Sequence, residues 1–115
     1  MKKLYIYGSG SISREVIKLV KKINKKKKIW NLSGIIEKNF STKKKFEGIK
    51  IFDENKIKFD KNSYVVIALS DVKKKDKIDK SIKKKKIKLA SLICPDLHLY
   101  NDTKIGEGSI IFSNC

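Results

Sequence analysis

Tyr5-Ile6-Tyr7-Gly8-Ser9-Gly10-Ser11-Ile12-Ser13-Arg14-Glu15-Val16 is the stretch whose reading decides the fold. Leu4 to Tyr7 is an unbroken apolar run, which suits a strand buried on both faces, as in a parallel sheet. Gly8 and Gly10 then make a tight turn. Behind it Ile12, Val16, Ile17, Leu19, Val20 and Ile23 recur at helical spacing. Ser11 or Ser13 is predicted to cap that helix, and Asn24 with the following lysines to end it. A strand, a glycine turn and a helix start leave backbone N–H groups converging at the positive end of a helix dipole. That setting suits a phosphate or a carboxylate. Taken alone, the loop is equally a plain strand-to-helix turn, since Ser13 stands where the dinucleotide fingerprint has its third glycine.

Outward from this unit, residues 29–37 read as a second strand with Gly34 inside it and Glu37 at its end. Lys38 to Lys45 is a polar loop, Gly48 to Phe52 a short extended piece, and Asp53 to Asp60 a brief helical turn. Tyr64-Val65-Val66-Ile67-Ala68-Leu69 is the clearest strand in the chain. Ser70 and Asp71 follow as cap candidates for a lysine-rich helix that carries Ile78 and Ile82 inward. Leu89 to Ile93 reads as one further strand, ended by Cys94 and Pro95. This order predicts an α/β fold, a small Rossmann-like parallel sheet with flanking helices. Ligands of such sheets bind at the carboxyl ends of strands. The ends expected there are Gly8 to Ser13, Glu37 with Lys38, and Ser70 with Asp71.

The tail changes character. Ile93, Leu99, Ile105 and Ile111 stand six apart, and Gly106 follows Ile105. A six-residue aliphatic period fits neither a helix nor a plain strand. It fits a β-helix, in which each hexapeptide forms one flat side and turns its aliphatic residue inward. Two domains are therefore expected, 1–93 and 94–115. A coil buries its core only against stacked neighbours, and Cys115 comes after little more than one three-sided coil. The tail reads as the truncated beginning of something longer.

Composition narrows the classes. The formal charge is +17 in 115 residues, from 29 basic against 12 acidic side chains, a field that attracts polyanions. Arg14 is the lone arginine, however, and the lysines fall in runs typical of solvated segments. Base reading relies on arginine and on aromatic residues interleaved with basic ones, so a nucleic-acid module is disfavoured. Tyr5, Tyr7, Trp30, Phe46 and Phe52 read as core or rim. Cys94 and Cys115 form no metal spacing or disulfide framework, and the lone His98 reads as a surface residue. The N-terminal apolar run is too short for a signal peptide and no run approaches a membrane span. A soluble cytoplasmic protein is expected.

A Rossmann-like front followed by hexapeptides resembles the PglD/NeuD sugar acyltransferases of bacterial surface-glycan synthesis. Their opening, a strand and then Y-G-x-G-G-x-G-[KR]-x-[VL], is matched by Tyr7 to Val16. The G-[FILV]-[ILV]-D-D end of their second strand is matched by Gly34 to Lys38, and I-A-I-G-[DN] by Ile67 to Asp71. A leucine-isoleucine-His-Pro junction corresponds to Leu92 to Pro95, and an I-G-x-G-[ST]-x-I hexapeptide to Ile105 to Ile111. The resemblance covers the whole chain in order. It implies a sugar or nucleotide-sugar acceptor held by the N-terminal domain. It also implies a left-handed β-helix that supplies a catalytic histidine and an acetyl-CoA site between the subunits of a homotrimer. By position, Gly8, Gly10, Ser11 and Ile12 would contact the acceptor through the loop. Glu37 and Lys38 would hold its base or ribose, and Ser70 would line the same pocket. Glu37 and Lys38 are equally readable as solvated groups at a strand end. The chain departs from the pattern where Ser11, Ser13 and Ser70 replace glycines, and where Glu37 and Lys38 replace a pair of acids.

The rival to a sugar acetyltransferase is an NAD(P)-binding domain of a reductase, in which Glu37 would be the ribose-binding acid; the hexapeptide period has no place in it. In the family the histidine lies in later coils than this sequence reaches. The purified 115-residue chain is therefore expected to transfer no acetyl group from acetyl-CoA to an amino sugar, measured as free-thiol release. Turnover above the uncatalysed rate would refute that.

Overall fold

Alternation along three central strands sorts the core onto two faces of one sheet. The computed structural model describes residues 2–37, 45–54, 56–93 and 110–111. Its elements are β1 (Lys2–Tyr7), α1 (Ser11–Lys26), β2 (Trp30–Glu37), β3 (Lys45–Phe46), β4 (Ile49–Asp53), β5 (Ser63–Ile67), α2 (Val72–Lys84), β6 (Lys88–Leu89), β7 (Leu92–Ile93) and β8 (Ile110–Ile111). The main sheet runs β3-β4-β2-β1-β5-β6. Its pairings are parallel except for the β3–β4 hairpin at one edge. This is the mixed α/β, mostly parallel architecture that the sequence predicts.

Leu4, Ile6, Ile35 and Val66 turn to one face and pack with Val16, Leu19 and Val20 of α1. Their neighbours Tyr5, Tyr7, Ile36, Val65 and Ile67 turn to the other face, where Ile82 of α2 meets them. The cover is unequal. Helix α1 buries Val16, Ile17, Leu19, Val20, Ile23 and Ser13, whereas α2 buries Ile82 alone. At about 1.5–3 kcal/mol for each fully buried aliphatic side chain, the α1 face holds most of the packing energy. The α2 face is completed by partly buried groups, among them Ile57, Phe59 and Ile78.

Local chemistry explains where the elements begin and end. Neither Ser11 nor Ser13 caps α1: Gly10 is the N-cap and no side chain caps the helix. Ser13 is buried, and its hydroxyl donates to the Gly8 carbonyl at 2.7 Å, so it fastens the loop rather than the helix. The helix runs past Asn24 to Lys26. The Asn24 carboxamide instead ties the start of β2, accepting from the Ile29 and Trp30 N–H groups at 3.1 Å each and donating to the Trp30 carbonyl at 2.7 Å. Asp71 caps α2 as expected, accepting from the N–H groups of Lys73 and Lys74. Of the helical turn expected over Asp53 to Asp60 the described residues show a single turn at its start, closed by Lys56 and Ile57 N–H donating to the Asp53 carbonyl, and no helix.

The last strand of the sheet is shorter than expected. Residues 89–93 divide at Ala90: β6 pairs with β5, and β7 leaves the sheet to pair in parallel with β8. That pairing sets Leu92 opposite Ile110 and Ile93 opposite Ile111, joining the first and last members of the six-residue series. Residues 94–109, with Cys94, His98 and the expected coil, lie outside the described residues, as do Lys38 and the rest of 38–44. No helix among the described residues is long and apolar enough to cross a membrane.

Strand β2 carries one irregularity. The register steps from Leu4↔Leu32 to Tyr5↔Gly34, passing over Ser33. At Gly34 an added Cβ would stand 2.4 Å from the Phe52 ring and 3.2 Å from Tyr5. Tyr5 and Phe52 meet edge to face there, with centroids 6.0 Å apart. Gly34→Ala is expected to lower stability by about 1–3 kcal/mol, the usual cost of overpacking, seen as a lower midpoint in urea. Phe52→Leu in the same chain should recover part of the loss. A midpoint unchanged by Gly34→Ala would show that the aromatic pair is not held against β2.

Candidate functional site

Strands β2, β1 and β5 end side by side, and the turn after β1 is drawn tightly between its neighbours. Gly8 has φ +110°, a conformation costly to any residue with a Cβ. A Cβ there would also meet Leu69 Cδ2 at 2.8 Å and the Ala68 carbonyl at 3.0 Å. The Gly8 N–H donates to the Ile36 carbonyl at 2.9 Å, and Ala68 N–H donates to the Tyr7 carbonyl at 3.0 Å. Gly10 by contrast has open space around it. Strand order reverses about β1, the place where open α/β sheets bind ligands.

A cleft of 740 Å³ opens at these strand ends on the α2 side. Its floor is Tyr7, Gly8 and Ile36, and the carboxylates of Glu37 and Glu54 stand on one wall. The opposite wall is a stripe of α2 formed by Lys74, Lys77, Ile78 and Ser81, residues spaced to share one helix face. A chamber of 20 Å³ continues inward past Tyr7, Glu54 and Ser81, room for about one water-sized group. A separate hollow of 420 Å³ lies at the amino ends of the strands, lined by Lys2, Lys27, Lys28, Ile29 and Asn62. Ligands of such sheets do not bind at that end.

Of the residues singled out from sequence, the cleft gathers Gly8 and Glu37. Gly10 and Ser11 are exposed on the loop and the first turn of α1, and Ile12 leans on the α1-side core. Ser70 is exposed between β5 and α2; none of these four lines the cleft. Lys38 lies outside the described residues. Arg14 works away from the loop: its Nε donates to Glu47 at 3.2 Å and its guanidinium sits over the Phe46 ring, pinning the β3–β4 hairpin to α1.

Sequence reasoning missed Tyr7, Glu54, Lys74 and Lys77. Tyr7 was readable as core because it sits in an apolar run. Alternation with Ile6 was the signal that turns it to the α2 face. Its side chain is 6% exposed, and its buried hydroxyl has no hydrogen-bond partner among the described residues. Burial, and then the nearby Glu54 carboxylate and that of Glu37, push the phenol pKa up. The Glu54 carboxylate is placed to accept from the hydroxyl and raises its pKa, although the two do not meet at full hydrogen-bonding geometry. The phenol therefore remains neutral, able both to donate and to accept. Glu37 is half-buried and accepts a hydrogen bond from the Ser9 hydroxyl; burial raises its pKa above the usual carboxylate value. Among the described residues no three His, Cys, Asp or Glu side chains converge as metal ligands.

Comparison with known proteins shows the family and the fold. The family model described as the PglD N-terminal domain matches residues 3–82, a span that runs from within β1 through β5 and most of α2. No curated protein sequence matches the chain significantly. Among solved structures, the acetyltransferase domain of PglB from Neisseria gonorrhoeae FA1090 is similar, with a TM-score of 0.74 at 20% identity. The match covers 96% of this chain and 53% of that one, so the chain spans about half of that structure's length. The likeness shows a shared fold.

The Glu37 shift has a signed consequence. A carboxyl whose pKa is higher folded than unfolded binds more protons in the native state between the two values. Stability then falls as pH rises through that window. Glu37→Gln keeps an acceptor for Ser9 and removes the titration. Urea unfolding from pH 7 down through the carboxylate range should therefore show wild type gaining on Glu37→Gln as pH falls. A constant difference between the two would contradict the burial of this carboxylate.

Proposed function

The chain belongs to the PglD N-terminal domain family, and from that premise we propose that it is the acceptor-binding portion of a sugar acetyltransferase. The acceptor is a sugar or nucleotide sugar and the acyl donor is acetyl-CoA, in bacterial surface-glycan synthesis in the cytoplasm. The observation that carries the proposal is the cleft at the ends of β1 and β2, where Tyr7, Gly8 and Glu37 meet at the strand-order reversal. Glu37 there is a fixed hydrogen-bond acceptor for ribose hydroxyls or a base N–H. Gly8, at a φ that only glycine adopts freely, draws the strand ends together around the cleft, and Tyr7 lines its floor with a neutral phenol.

The transfer chemistry belongs, in this proposal, to a left-handed β-helix that begins after Ile93. The parallel pairing of Ile93 with Ile111, three hexapeptides apart, is the register that one three-sided coil would give. That coil assembles as a homotrimer and carries the acetyl-CoA site and a histidine general base, which removes the acceptor's proton as it attacks the thioester. The residues of the described domain hold and orient the acceptor, so that its nucleophile is presented in one geometry.

Glu37 at the end of β2 also favours a second reading, an NAD(P)-binding domain of a reductase. A thermal-shift panel separates the two and adds a short DNA duplex as a third arm. UDP-N-acetylglucosamine, as a nucleotide-sugar probe, is expected to raise Tm, while NADH and the duplex leave it unchanged. At 100 times Kd the gain is about 2.7 kcal/mol, several degrees in a domain of this size. Stabilisation by NADH alone would overturn the acetyltransferase proposal, and salt-sensitive stabilisation by the duplex alone would replace it with a nucleic-acid module.

A further inference from the structure

The lysines of α2 are not all alike. Lys80 pairs with Asp76 and Lys83 with Asp79, each at 3.3 Å and one turn apart. Lys74 and Lys77 stand on the stripe that also carries Ile78 and Ser81 into the cleft. Among the described residues neither makes an ion pair. Their position is also unusual for the helix. The first turn of α2 holds no acidic residue, and Lys73, Lys74 and Lys75 sit at the end where the helix dipole is already positive. Asp71 caps two N–H groups, and no other carboxylate follows until Asp76. An anion in the cleft would complete this arrangement.

The opposite wall has the opposite sign. Glu37 and Glu54 face the same space, and the Ser9 hydroxyl holds Glu37 beside the glycine turn. A phosphate seated on that turn would lie against a carboxylate. Between the two walls, Tyr7 lines the cleft floor; the residue is 6% exposed and its buried hydroxyl has no hydrogen-bond partner among the described residues. An unpaired buried hydroxyl is costly unless something completes it, and a ligand group that enters from the cleft into the adjoining chamber would do so.

From these observations we infer that Lys74 and Lys77 bind the anionic, diphosphate part of the ligand, that Glu37 takes its hydroxyl or N–H groups, and that Tyr7 hydrogen-bonds to it from below. This rests on the reading of the cleft as the acceptor site. It moves the phosphate from the glycine turn to α2 and fixes the direction in which the acceptor lies. Because lysine binds phosphate as a solvated point charge, affinity should fall with salt.

The test is calorimetric titration of the full chain with two probes, inorganic pyrophosphate and UDP-N-acetylglucosamine, at low and high sodium chloride. The proteins are wild type, Lys74→Ala/Lys77→Ala, Lys80→Ala as a control for loss of an α2 charge outside the cleft, and Tyr7→Phe. The lysines are exposed, and urea midpoints check that every variant folds. The double variant is expected to lose about tenfold or more in affinity for both probes, the scale of one charge-assisted contact or better, along with most of the salt dependence. Lys80→Ala should bind as wild type does. Tyr7→Phe should bind the nucleotide sugar several-fold more weakly at undiminished stability. Full affinity and full salt dependence in the double variant, equal losses in Lys80→Ala, or wild-type binding by Tyr7→Phe would overturn the inference. Pyrophosphate binding that depends on Lys74 and Lys77, with no nucleotide-sugar binding, would keep the cation wall and sink the nucleotide-sugar reading. Binding of neither probe to wild type would sink both.

Discussion

Gly8 is the residue on which the geometry turns. Its N–H is committed to Ile36 of β2, its carbonyl to the Ser13 hydroxyl of α1, and the space where a Cβ would sit is filled by Ala68 and Leu69 beyond β5. Three strand ends and a helix start are thereby drawn to one point, and only a residue free to adopt φ +110° permits it. The strand order reverses about β1 at the same place, so the constraint that closes the fold also places the cleft.

The two faces of the sheet divide the work between them. Helix α1 covers its side with a continuous apolar stripe, and Leu4, Ile6, Ile35 and Val66 beneath it are fully sealed. Helix α2 contributes Ile82 to the core and little else. Toward its amino end the inward stripe passes from Ile82 and Ile78 to Lys77 and Lys74, so packing gives way to an open polar cleft. A helix with a longer apolar stripe would have closed that space and buried Tyr7 among hydrocarbon.

Much of this was legible in the sequence, because hydrophobic period reports burial. The apolar runs at Leu4–Tyr7 and Tyr64–Leu69 and the stripe of α1 gave the parallel sheet and its first crossover; Asp71 read correctly as a cap. What stayed hidden depended on partners distant in sequence. Ser13 looked like a cap but faces Gly8, because the tight turn brings that carbonyl within reach. Asn24 looked like a helix terminator but bridges to β2. Lys74 and Lys77 could not be told from the many solvated lysines, since their distinction lies in facing Tyr7 and Glu54 across the cleft. The place of Gly8 and Glu37 at the cleft was legible because a glycine turn and an acid at strand ends carry their own signal.

The central claim is that the ligand lies on the α2 face at the strand ends, and amide chemical shifts test it directly. In a titration of the ¹⁵N-labelled chain with UDP-N-acetylglucosamine, the account predicts perturbations at Gly8, Glu37, Glu54, Lys74 and Lys77, with Lys27, Lys28 and Asn62 unmoved. Perturbations confined to the first turn of α1, or to the hollow beside Lys2, Lys27 and Lys28, would contradict it.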